Sequence, residues 1–435
     1  MSESSTIGIV ARTPEERALV RRLMYFFAIV YVAEGAGQTD GLIAQPLNYY
    51  LKQVYQWSPV EITAYLTVLN LPWFIKPLYG AISDFVPLFG YRRKTYLILA
   101  NAAAACGYIA IAQAVTPGML IVLLLLTAYG MAISSTLTGA ILVENGQKFH
   151  ASGAFVNQQW LWYNVAAMAS ALTGGLLIEY LSPVSAVHGA AILVGIVPLA
   201  VVFGSMTLVQ EEKSAFTPDG LKETFKGLNV AFRTRDLWVI AAFLFFYYFS
   251  PGFSTPLYFH MTDTLKFSQG YIGVLSAISS AGWITGAIIY RAYLERLPSR
   301  VLLNVSIAIG IVATLSFLFL INEATAAVAN FANGISLMIM FVATLSLAAD
   351  HCPKRSEGFV FAVLMSVTNI AGSAADNLGS FLYEHAFGGR LYPLVLVSAA
   401  FTACAFLLVP LLKLGDKGQG EPVLGTDPVS ARIAR

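Results

Sequence analysis

Residues 71–94 read LPWFIKPLYGAISDFVPLFGYRRK. The stretch opens as an apolar membrane run, yet Lys76 stands inside it with Pro77 directly after. A lysine at membrane depth is costly unless it faces a cavity, pairs with an acid or stretches its stem to the interface. Asp84 follows, about 12 Å further along a helix at ~1.5 Å per residue. The basic cluster Arg92, Arg93 and Lys94 closes the stretch. An apolar crossing that ends on basic residues reads as a span arriving at the cytoplasm.

The whole chain agrees with that reading. It has 435 residues, of which 57% are hydrophobic and only 11% charged. Soluble proteins carry about 25% charged residues; a soluble chain this poor in charge would expose large apolar patches. An all-α polytopic membrane protein is expected. Cys106, Cys352 and Cys404 lie far apart, without a CxxC, so neither a disulfide framework nor a zinc site is expected. The five histidines (His150, His188, His260, His351 and His385) are dispersed, and no HExxH, GxSxG or phosphate-cradling loop occurs. The chain is therefore expected not to be an enzyme and to need no metal or cofactor. No nucleic-acid partner is expected. The N-terminal segment lacks the apolar core and cleavage pattern of a removed leader.

Twelve segments are apolar and long enough to cross, taking about 20 residues per crossing. They cover 23–47, 59–82, 95–115, 118–142, 152–179, 185–209, 236–260, 270–294, 300–321, 324–349, 357–384 and 390–413. With both termini inside, 22 of the 26 lysines and arginines fall in inner segments and three (Lys52, Lys266 and Arg390) in outer loops. Lys76 is the remaining one. Such a split favours this orientation. Residues 1–210 form a first six-helix bundle and 236–414 a second. Between them, 211–235 read as a linker with an amphipathic surface helix on Leu221, Phe225, Leu228 and Phe232. The tail 415–435 reads as disordered. Thr13-Pro14-Glu15-Glu16 is a capping-box start, here assigned to a short surface helix before span one. Two six-helix halves joined by an inner loop fit the major facilitator architecture.

LPWFIKPLYGAISDFVPLFGYRRKTYLIL resembles the folate–biopterin transporter family of the major facilitator superfamily. SPGFSTPLYFHMTDTLKFSQGYIGVL and DHCPKRSEGFVFAVLMSVTNIAGSAADNLGSFLYE resemble that family's second half. The resemblance implies twelve helices in two bundles, alternating access, and a folate or pterin cargo. Muropeptide permeases share the Lys…Pro…Asp…Gly-Arg-Arg pattern and are the alternative, and a non-transporting sensor is another. Span one departs from the family in carrying Glu34 and Asp40.

Charged groups inside spans are the natural transport candidates. Glu34 lies about 18 Å along the helix from Arg22, near the depth of Lys76, so the two are candidate partners. Lys76 would hold an anionic cargo group, or would form a structural pair with Glu34. Gln38, Gly41 and Gln45 share a helical face with Glu34. Asn70 and Trp73 on span two, Gln158 and Trp162 on span five (with Trp160 and Asn164 as the other face), Tyr247 on span seven, and Asn369, Asp376 and Asn377 on span eleven complete the candidate cargo contacts. Glu34, Asp40 and Asp376 are the candidates for proton coupling, with Asp40 placed near the outer mouth. Asp84, Arg92, Arg93 and Glu144 form the candidate inner gate. The expected partners are a small-molecule substrate, protons and the lipid bilayer. The protein is expected to act as a monomer in the plasma (inner) membrane.

Overall fold

The computed structural model describes residues 13–114, 116–214, 235–350 and 357–412. Every regular element among them is helical, as expected where a backbone crossing lipid must close its own hydrogen bonds. The first half holds α1 (Pro14–Gly37), α2 (Ala44–Val54), α3 (Pro59–Phe74), α4 (Lys76–Phe85), α5 (Lys94–Ile111), α6 (Pro117–Lys148), α7 (Ser152–Tyr180) and α8 (Pro183–Thr207). The second holds α9 (Arg235–Tyr248), α10 (Ser254–Phe259), α11 (Gln269–Ile289), α12 (Ser299–Ser316), α13 (Glu323–Asp350), α14 (Glu357–Phe381) and α15 (Leu391–Cys404). The surface helix expected in the linker and the tail from Gly415 lie outside the described residues.

The capping box forms as expected: the Thr13 hydroxyl accepts from the Glu16 N–H, and the Glu16 carboxylate accepts from the Thr13 N–H. The helix it starts is not a separate surface element, however. It runs on without interruption into span one as α1, because Leu19 to Val32 contains no residue that would stop it.

Among the described residues, eight helices are long and apolar enough to cross a membrane: α5 to α8, α11 to α13 and α15. The other four expected crossings differ in kind. Three are interrupted, between α1 and α2, α3 and α4, and α9 and α10. The fourth, α14, carries Asn369, Asp376 and Asn377. Apolar residues such as Val122, Ile196 and Val312, each more than 60% exposed, face outward where lipid covers them.

Each interruption follows from local chemistry. Pro77 has no N–H to give to the carbonyl of Trp73. Asn369 on α14 donates to that carbonyl instead, at 3.2 Å. The Tyr79 hydroxyl takes the freed Pro72 carbonyl at 3.1 Å. Span one breaks at Gly37. The chain doubles back so tightly at Gly41 that a Cβ there would overlap the Ala36 carbonyl, and the Leu42 N–H closes on that carbonyl at 2.9 Å. Tyr108 donates to the freed Gly37 carbonyl. Span seven breaks over Phe249–Phe253, where the Gly252 N–H donates to the Ala375 carbonyl of α14 at 2.9 Å.

Two apolar cores draw on residues 23–209 and two on 237–412. Phe26, Phe27, Tyr31 and Phe155 anchor one, with Phe27 and Phe155 edge-on at 4.9 Å. The halves meet along α3–α14 and α7–α11. A polar ladder runs along the first seam: Asn377 to Thr67 at 2.6 Å, and Thr63 with Ser380 at 2.8 Å.

The end that the topology assigns to the outside is closed. Lys52 on α2 is 8% exposed; it pairs with Asp263, donates to Thr262 and lies 4.1 Å from the Phe259 ring centroid. Gln45 reaches the Gln269 carbonyl at 2.7 Å, and Glu179 accepts from the Gly270 N–H at 3.1 Å.

Gly379 of α14 lies directly against the Gly252 carbonyl, which a Cβ would overlap. Gly379→Ala is therefore expected to cost about 1–3 kcal/mol, as overpacking does, read as a lower melting temperature of the purified protein. An unchanged melt would show that the span-seven break is not seated on α14.

Candidate functional site

The breaks in spans one and two and the polar face of α14 converge on one cavity of about 160 Å³. Gln38, Thr39 and Asp40 from the first break, Asn70, Trp73 and Phe74 from α3, and Asn369 and Ser373 from α14 line it. Both halves of the chain contribute. Asn70 stands about 17 Å from the start of α3 at ~1.5 Å per residue, which is near mid-membrane. Asp40 shares this depth rather than the outer mouth, because the reversal at Gly41 folds it inward. First spans of both halves that break in corresponding places are a recurrent way to build a midplane binding site.

Beside the cavity lies a buried polar chain. Lys76 opens α4, and its ammonium lies 4.5 Å from the Trp73 ring centroid, over the face of that ring. It donates to the Ser135 hydroxyl of α6 at 3.2 Å, and Ser135 donates to Glu34 Oε1 at 2.8 Å. Gln38 donates to the same oxygen at 2.9 Å. The sequence suggested Lys76 and Glu34 as direct partners. The structure inserts Ser135 between them, and no ion pair joins them. Glu34 is 9% exposed, and its Oε2 is buried without a hydrogen-bond partner among the described residues. Such a group stays available to a proton or a ligand.

Asp376 accepts from Ser254 at 3.3 Å and packs on Gly252. The remaining candidates divide. Asn369 lines the cavity while its amide holds the Trp73 carbonyl. Asn377 is spent on the α3–α14 seam. Gln158 donates to the Met24 carbonyl at 3.3 Å and Trp162 packs on the first-half core, so neither faces the cavity. Tyr247 is buried in the second-half core with its hydroxyl on Ser306 at 3.2 Å. On span five, Trp160 reaches across to Phe341 of α13, ring centroids 5.2 Å apart.

At the inner end, Arg93 is buried between two acids, with Asp84 at 3.1 Å and Glu144 at 2.5 Å. All three belong to the first half. Arg92 contributes its backbone rather than its side chain: Glu211 accepts from the N–H groups of Arg92, Arg93 and Lys94 at 3.0, 3.1 and 2.8 Å. Those N–H groups open α5 and have no partner within the helix, so a carboxylate there is well placed. Gly90 turns the loop at φ 83°, and its carbonyl accepts from Ser214 at 2.8 Å. Sequence reasoning missed Ser135 and Glu211. Glu211 had a signal, an acid just past a span facing a helix start; one serine among many on α6 had none.

The sequence profile of the BT1 family matches residues 36–413. The chain belongs to the BT1 family. Among its similar proteins, the folate-biopterin transporter of Synechocystis sp. is 29% identical over 94% of this chain and 87% of that one. Folate transporter 1 of Plasmodium falciparum is 24% identical over 83% of this chain and 72% of that one. Two solved structures share the fold. A mutant of the nucleoside transporter NupG gives a TM-score of 0.70 at 13% identity over 91% of this chain and 100% of the other. A D-xylose–proton symporter gives 0.68 at 11% identity over 93% and 99%. This BT1-family chain is thus a multi-pass membrane transporter of the major facilitator fold with a small-molecule cargo, and not an enzyme.

Ser135→Ala is expected to leave Glu34 and Lys76 each short of a buried hydrogen bond. The cost should be about 1–3 kcal/mol, measured as a lower melting temperature, with Ser135→Thr near wild type. A wild-type melt for the alanine variant would show that the hydroxyl does not link the two charges.

Proposed function

We propose that this protein carries a pteridine-type solute, folate or a pterin, across the plasma membrane by alternating access, as a proton-coupled monomer of twelve crossings with both termini cytoplasmic. One observation carries the reading. The cavity is lined from both halves, is bordered by the aromatic side chains of Trp73 and Phe74 with amides and a carboxylate around them, and abuts the Lys76–Ser135–Glu34 chain. Flat aromatic heterocycles are recognised by stacking together with a few placed polar groups. The similar folate-biopterin and folate transporters favour the same cargo class.

The division of the chain at 211–235 is part of this reading. The apolar cores lie on either side of that segment, and the two sides can rock about the shared cavity. The closed outer contacts, with the Arg93 pairs held inside the first half, support a state facing the cytoplasm or occluded from outside.

Glu34 is the proton carrier in this scheme. The titratable groups facing it are Lys76, Tyr31 and Tyr163, and Lys76 is the cation among them. When Glu34 is charged, the Lys76 ammonium is balanced through Ser135. When Glu34 is protonated, Lys76 is left to an acceptor group of the cargo, a carboxylate of folate or a ring carbonyl of a pterin. Cargo and proton then occupy the site together.

In vesicles, wild-type protein is expected to show saturable folate or biopterin flux stimulated by a proton gradient. Glu34→Gln cannot exchange a proton, so it should keep binding and lose the stimulation. Undiminished stimulation in that variant would remove Glu34 from the role. Asp263→Ala leaves the Lys52 ammonium without its acid, so the outer contact should loosen. An impermeant thiol reagent added from outside is then expected to label a cysteine introduced at Asn70 several-fold faster. Equal labelling would show that Lys52 and Asp263 do not hold the outer side shut.

A further inference from the structure

We infer that Asp40 recognises the 2-amino-4-oxo edge of the pteridine ring, so that the ring rather than the anionic tail is what this site selects; the inference rests on the cargo reading above. The side chains around the cavity differ in what they have left to give. Gln38 gives one amide hydrogen to Glu34 and Asn369 gives one to the Trp73 carbonyl. The Asp40 carboxylate lines the cavity and makes no ion pair or hydrogen bond with a described residue. Asp376 on α14 is itself an acid and holds Ser254, so it brings no donor to Asp40. A carboxylate in that position is open to donors that the occupant of the cavity brings.

A pterin brings two such donors side by side, its ring N3–H and its 2-amino group. They point the same way and match the two oxygens of one carboxylate, as a guanidinium does. Trp73 and Phe74 border the same cavity and offer the flat ring its stacking surfaces. The Asn70 side chain is likewise unengaged by described residues and is available to the 4-oxo group or a ring nitrogen. Lys76 plays a different part, since it meets only the rim of the cavity through Trp73. Folate and biopterin share the aminopyrimidinone edge, while folate alone has carboxylates for a lysine. A carrier of both must select the shared edge.

The test compares pterin with lumazine, which carries a 2-oxo group in place of the 2-amino group, on the purified full-length protein. Two acceptors on Asp40 match pterin and clash with the lumazine carbonyl. A site built around such a hydrogen-bonding pair should favour pterin by at least about tenfold in Kd. Asp40→Asn presents one donor and one acceptor, the complement of lumazine, so the preference should level or reverse. The wild-type ratio needs no variant and stands even if Asp40→Asn folds poorly. Equal wild-type binding of the two ligands, or a pterin preference kept by a folded Asp40→Asn protein, overturns the role of Asp40 and leaves the pteridine cargo intact. Absence of binding by pterin, biopterin and folate alike overturns the cargo reading and this inference with it.

Discussion

A helix that breaks inside a membrane must hand its freed backbone groups to another part of the protein, because no water is there to take them. That constraint organises this molecule. Pro77 strips the Trp73 carbonyl of its helical partner, and Asn369 of α14 supplies one. The span-seven break leaves the Gly252 N–H open, and the Ala375 carbonyl of the same α14 accepts it. One helix thus satisfies interruptions in both halves. The cavity lies beside that shared helix, whose Asn369 and Ser373 line it together with residues of the first two spans.

The charges obey the same economy of partners. Arg93, near the inner surface, is clamped by two acids on one side of the chain and is structural in this state. Lys76, deeper, is given only a hydroxyl and the face of an indole. A direct contact with Glu34 would have been a closed pair, costly to break in a low dielectric. Routing the contact through Ser135 keeps both charges nearby but neither fully satisfied, and Glu34 retains an unbonded oxygen. Partly satisfied polar groups beside a cavity are what a binding cycle uses; fully satisfied ones are what a scaffold uses.

Much of this was legible in residues 71–94 and the composition. The lysine inside an apolar run and the basic cluster after Asp84 pointed to an inner-facing span and to the family. The break at Pro77 came from the structure. Glu34, Lys76, Asn70, Trp73 and Asn369 were singled out as polar or aromatic residues in apolar surroundings, and the structure gathers them at or beside one cavity. Gln158, Trp162 and Tyr247 were equally conspicuous, yet they face packed neighbours. Periodicity gives a face of one helix, and it cannot say whether that face meets a cavity or another helix. Ser135 and Glu211 escaped notice because their roles exist only across helices.

By itself, the sequence determined that this chain lives in a bilayer and which types of residue are too polar to be there without a reason. Those are properties of local transfer free energy, additive along the chain. Only the tertiary structure decided which polar residues share a cavity, that a serine stands between Lys76 and Glu34, and that the reversal at Gly41 carries Asp40 inward. These depend on the rotation and depth of each helix against its neighbours, which packing and backbone satisfaction set jointly and no single segment encodes.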